Sequence, residues 1–153
     1  MPDTIPIEDL PHLAGKELAP SDWLEITQDR ISQFADATND HQFIHTDPEK
    51  ARQTTFGGTI AHGYLTLSLL SYLLPQNTVR PAGMAMALNY GSDKARYLAP
   101  VKVGQRVRAQ QKILEIAEKR PGQWLSKIGV TVEIDGERAP ALIAEILTMY
   151  IIK

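Results

Sequence analysis

The chain has 153 residues, of which 43% are apolar and 22% charged, with a formal net charge of −2 and no cysteine. Apolar and charged fractions this close to globular averages exclude disordered and fibrous classes, and the small net charge gives no whole-molecule attraction to nucleic acid or anionic membranes. Without cysteine, disulfides, thiolate nucleophiles and Cys-ligated metal centres are excluded, and no oxidising compartment is needed.

Charge is unevenly spread: residues 1–60 carry eleven acids and four bases, the remainder seven acids and twelve bases. The acidic N-terminus has no apolar stretch of signal-peptide length. The apolar run at 59–74 is shorter than a membrane span and holds His62, Ser68 and Ser71,. A cytoplasmic protein without membrane or nucleic-acid partners is expected.

In chain order, Pro2, Pro6, Pro11 and Pro20 punctuate the first residues, where Ile7, Leu10 and Leu13 suit one face of a short helix ended by Gly15. His12 is expected at the surface. A short strand is predicted from Ser21, with Trp23 as its packing anchor. Thr27 reads as an N-cap and Asp29 lies in the first turn, where negative charge is favoured. Ile31, Phe34, Ala35 and Thr38 continue at helical spacing, predicting an amphipathic helix over 28–38. Asn39 and Asp40 end it, since their side chains bond nearby backbone. Asp47-Pro48 starts a second short helix, with Pro48 at its first position.

Residues 54–59 read as loop. The next run, 60–74, is apolar all round, predicting a helix buried on every side and stopped by Pro75. Strands follow: 84–90, then 94–98 as a second strand or its continuation after Gly91, 106–116, and 123–134 after a turn at 119–122. Asp135-Gly136 is a strong hairpin signal, and 139–152 reads as the last strand. No linker or repeat divides 1–153, so one domain is expected. The fold class is α+β, four or five antiparallel strands in a meander curled around one helix.

Asp40 and His45 lie five apart among turn-formers, so both side chains can converge from one loop. A carboxylate beside an imidazole can move protons to or from water near neutral pH. Spacing alone favours the structural reading, in which Asp40 ends the helix and His45 packs beneath the loop. Gly63, near the head of the apolar helix, places unpaired N–H groups where an oxyanion can approach with no Cβ in the way. Helix packing explains that glycine equally well. His62 reads as an N-terminal cap or a core histidine.

His41 and His45 have the spacing of a helical zinc pair, but Gln42 stands where the zincin motif needs Glu, and turn residues bracket the segment. No metal is expected. The basic set Lys94, Arg96, Lys102, Arg106, Arg108 and Lys112 suits carrier phosphates, although Arg106, Arg108 and Lys112 alternate outward as a solvated strand face would. Nothing has the form of a Rossmann or Walker phosphate loop.

Taken together, FADATNDHQFIHTDPEKARQTTFGGTIAHGYLTLSLL resembles the MaoC-like dehydratase family, which includes the (R)-specific enoyl-CoA hydratases (hydratase 2 enzymes), and within it the branch similar to nodulation protein N. GSDKARYLAPVKVGQRV is similar to a later family segment. The resemblance implies a hot-dog fold paired into a homodimer and hydration of trans-2-enoyl-CoA to (3R)-hydroxyacyl-CoA. It implies neither metal nor organic cofactor, the CoA being part of the substrate. It maps the catalytic pair to Asp40 and His45, the carbonyl-polarising amide to Gly63 and a helix serine to Ser71. His62 joins the substrate-binding group, and Lys94 and Arg96 are candidate CoA phosphate contacts. The family's usual Asp-x-Asn-Pro-Leu-His reads Asp40-His41-Gln42-Phe43-Ile44-His45 here. Rival expectations are an acyl-CoA thioesterase on the same architecture and a non-catalytic acyl-CoA-binding module.

Overall fold

The computed structural model describes residues 4–153; Pro2 lies outside them. Strand β1 (Thr4–Ile5) leads into a 3-10 helix over Ile7–Leu13, with Leu10 buried and His12 exposed. Two short strands follow, β2 (Glu17–Leu18) and β3 (Leu24–Glu25). Helix α1 spans Gln28–Thr38 as predicted, the Thr27 side chain accepting from the Arg30 amide and Asn39 ending it at φ 58°.

Residues expected to form loop contain a helical turn, α2 (Phe43–Thr46), and Asp47 then caps α3 (Pro48–Arg52). The apolar run gives α4 (Gly63–Ser68) and α5 (Leu70–Leu73), separated at Leu69, where Tyr72 N–H bonds the Leu69 carbonyl in a tighter turn. Strand β4 (Arg80–Pro81) pairs with β1. The long strands are β5 (Met84–Tyr97), β6 (Arg106–Arg120), β7 (Gln123–Ile134) and β8 (Leu142–Ile152).

The large sheet runs β2-β6-β7-β8-β5, with β3 also on β6. This corrects the expected meander: β5 lies at the far edge beside β8, and the chain crosses to the opposite side before β6. β5 is a single strand whose register shifts around Gly91, so the bend there does not divide it. Asp135-Gly136 does make a turn, with Gly136 at φ 80°, but β8 begins only at Leu142, so the connection is longer than a two-residue hairpin.

Burial along β7 alternates strictly, placing Trp124, Ser126, Ile128, Val130, Val132 and Ile134 inward, the period two of a half-covered sheet. Leu65, Leu69, Leu70 and Leu73 pack with Val107, Val130, Val132 and Leu142 in the main core. The apolar helix is not buried on every side, as its composition suggested. Tyr64 and Tyr72 are 70% and 60% exposed, and Gly63, Ser68 and Ser71 share their open side. These positions recur at roughly one-turn spacing, so they form one stripe that this chain's sheet leaves uncovered. Among the described residues, no helix is long and apolar enough to cross a membrane.

Candidate active site

Four residues separate Asp40 from His45, and the turn of α2 makes them neighbours in space. The His45 amide bonds the Gln42 carbonyl at 2.9 Å and the Asp47 amide bonds Phe43 at 3.0 Å, which winds the segment and turns His45 inward. Gln28, on the first turn of α1, donates to the His45 backbone carbonyl at 2.8 Å and accepts from the Thr59 hydroxyl. One side chain thereby ties α1, α2 and the loop before α4 together.

His45 is 6% exposed. Its Nδ1 lies 2.7 Å from the Ile60 carbonyl; a carbonyl only accepts, so Nδ1 carries the proton and Nε2 is left bare in the neutral ring. Burial pushes the pKa below the ordinary 6.5, against the raising effect of the Ile60 hydrogen bond. His62 adds to the lowering and Asp40 partly opposes it. Near pH 7 the imidazole is therefore neutral, with a lone pair available to take a proton.

A ring nitrogen of His45, one of His62 and a carboxylate oxygen of Asp40 all lie within 4.8 Å of one another. A water at hydrogen-bond distance from two acceptors, about 2.8 Å from each, bridges a gap of this size. The cluster does not suit a metal. The two imidazoles are stacked, with centroids 3.8 Å apart and planes at 23°. Their lone pairs lie in nearly parallel, separated planes, so an ion about 2.0–2.1 Å from both nitrogens would sit out of the ring planes. His41 points elsewhere, pairing with Asp36 at 2.8 Å.

His45 and Gly63 line a cavity of about 260 Å³ together with Ile60, Thr66, Tyr97 and Val101. Gly63 is the first residue of α4. A Cβ there would stand 3.0 Å from two atoms of the Tyr97 ring, so that ring lies directly on the glycine. Tyr64 meets Tyr97 edge-on, centroids 6.2 Å apart.

The structure therefore gathers Asp40, His45, His62 and Gly63. It does not bring Ser71 to them: Ser71 is exposed on the open side of α5, and the cavity is lined instead by buried Thr66 of α4. Lys94 faces a separate groove with Glu17, Lys112 and Glu145. Arg96 is exposed and donates to the Ala95 carbonyl. Neither lines the His45 cavity. Arg106 and Arg108 are engaged by Asp135 and Glu133.

Sequence reasoning missed Gln28, Thr66 and Tyr97, along with the Ile60 carbonyl. Gln28 looks like any polar residue in a first helical turn, and a backbone carbonyl leaves no trace in residue type.

The MaoC like domain profile matches residues 9–135. The chain belongs to the MaoC-like family. This MaoC-like chain is 44% identical over 146 residues to the 3-hydroxyacyl-thioester dehydratase Z of Mycobacterium tuberculosis, covering 95% of each chain. It is also 44% identical to Nodulation protein N of Rhizobium leguminosarum bv. viciae, covering 94% of this chain and 89% of that protein. Among solved structures, an (R)-hydratase from A. caviae involved in PHA biosynthesis superposes with a TM-score of 0.71 at 26% identity, covering 88% of this chain and 94% of that one. The curled antiparallel sheet around a helix in this MaoC-like chain is thus the hot-dog fold, and its named relatives include dehydratases and hydratases.

Proposed function

We propose that the protein is a hydro-lyase that adds water across a trans-2-enoyl thioester to give the (3R)-hydroxyacyl thioester, or runs the reverse dehydration. The observation that carries this reading is that His45, neutral and beside the Asp40 carboxylate, shares one cavity wall with Gly63. The names of the dehydratase Z and (R)-hydratase relatives support it.

In the hydration direction, Asp40 and His45 hold one water between them. The water oxygen bonds to C3 of the enoyl group as its proton passes to the pair. The C2–C3 π electrons move onto the thioester, forming an enolate whose oxygen the Gly63 N–H stabilises. The pair then returns a proton to C2, and the thioester stays intact. Asp40 and His45 act as a coupled unit, so the proton belongs to the pair rather than to one formal base.

An acyl-CoA, or the equivalent acyl-carrier thioester, is the proposed substrate. A second copy of the chain is the proposed partner. β5 is a 14-residue edge strand that exposes Met86, Leu88 and Tyr90 on alternate residues. Such an edge is unfavourable unless something pairs with it.

Crotonyl-CoA hydration, followed as loss of enoyl absorbance with chiral analysis of the product, tests the reading. Asp40→Asn and His45→Gln should each cut turnover by about 10²–10⁴-fold while leaving the circular-dichroism spectrum unchanged. Near-wild-type turnover in both variants, or release of free thiol in place of hydration, would overturn it.

A further inference from the structure

His62 does not line the cavity, yet it touches both members of the proposed pair. We infer that His62 is a positioning residue, holding the Asp40 backbone and the His45 ring in one register so that carboxylate and imidazole face the same water.

The geometry is specific. His62 is 3% exposed and stands at the N-cap of α4. Its ring contacts Phe34 of α1, centroids 4.9 Å apart, and stacks on His45 of α2 at 3.8 Å. Its Nε2 is 3.0 Å from the Asp40 backbone carbonyl and 4.0 Å from Asp40 Oδ2. Because that carbonyl only accepts, Nε2 carries the proton.

The Asp40 side chain is half exposed, and among the described residues its carboxylate accepts a single long hydrogen bond, from the Gln42 amide to Oδ1 at 3.3 Å. The contact from His62 is thus the tether between the Asp40 loop and the helix that carries Gly63. His62 Nδ1, by contrast, is buried without a hydrogen-bond partner. An apolar ring would fill this space without stranding a nitrogen, so packing alone does not explain a histidine here.

The titratable groups facing His45 are Asp40, from the loop after α1, and His62, from the head of α4. Tyr97 of β5 shares the cavity wall, and uncharged Gln28 meets the His45 backbone carbonyl. Removing His62 takes away a neighbour that disfavours the imidazolium, so the His45 titration moves to higher pH.

The kinetic half of the test rests on the hydratase reading; the spectroscopic half does not. His62→Phe keeps a ring in the stack but loses the tether. Its melting temperature should be equal to or above wild type, with kcat for crotonyl-CoA down about 10²-fold through misplacement of the pair and KM nearly unchanged. His62→Gln keeps an Nε2 donor to the Asp40 carbonyl and should recover most of kcat. In both variants, ¹⁵N-detected NMR titration should show the His45 imidazole moving to higher pH.

Wild-type kcat in His62→Phe, or an unmoved His45 titration in either variant, would overturn the inference. If His62→Phe does not fold, the His62→Gln titration decides. If the wild-type protein hydrates no enoyl thioester, the hydratase reading fails and the titration alone decides the role of His62.

Discussion

His45 combines burial with a fixed tautomer. The Ile60 carbonyl holds the proton on Nδ1 while burial disfavours the imidazolium. The sign of the pH dependence follows. Because the folded pKa lies below 6.5, the unfolded chain binds a proton at pH values where the folded chain does not. The contribution of His45 to stability is therefore fully present above about pH 6.5 and declines as pH falls through that value to the folded pKa. The acid limb of kcat/KM should likewise fall below pH 6.5, where a pH–rate profile for the free enzyme would place it. An acid limb at or above 6.5 would contradict the burial argument. At Gly63 the open backbone expected from sequence is present, but a tyrosine ring lies on it, so the approach to the amide depends on where Tyr97 stands.

At the level of elements, the site is an assembly of short pieces that would not persist alone. α2 has four residues and α4 six, below the length at which an isolated helix is stable in water. Side chains from α1 hold them, and Gln28 is the main brace between α1, α2 and the loop before α4. Gln28→Leu removes the partner of the His45 backbone carbonyl and of the Thr59 hydroxyl together. The expected cost is about 1–3 kcal/mol, read from the urea midpoint, with turnover reduced because α2 loosens. A variant as stable as wild type would show that water replaces Gln28 at no cost. Helix α1 was readable because its N-cap, periodicity and terminator agree. The turn of α2 was not, since four residues carry no periodicity and its Gln42 N-cap makes no side-chain bond.

For the molecule as a whole, two surfaces remain open on the single chain. One is β5, and the other is the stripe of Tyr64, Ser68, Ser71 and Tyr72 along the helix. A second copy pairing along β5 would bury the exposed Met86, Leu88 and Tyr90. Leu88→Lys places a charge in that proposed contact and should shift sedimentation from dimer to monomer. A wild-type protein that sediments as a monomer would remove the dimer proposal while leaving the catalytic grouping untouched.

By itself the sequence determined the local elements and the chemistry available to them. The Thr27 cap and the 28–38 helix rest on interactions within a few residues, and the alternation of β6 on the period of a strand, so they could be read along the chain, whereas Asp40 and His45 were picked out by the family resemblance and not by their spacing. Tertiary structure alone decided which strand β5 pairs with and which face of the apolar helix stays open. It also decided which groups surround His45. Those outcomes depend on contacts between distant segments, such as Nδ1 of His45 with the carbonyl of Ile60, or the ring of Tyr97 on Gly63. The backbone carbonyl that sets the tautomer belongs to every residue type, so only the folded arrangement shows which one does it.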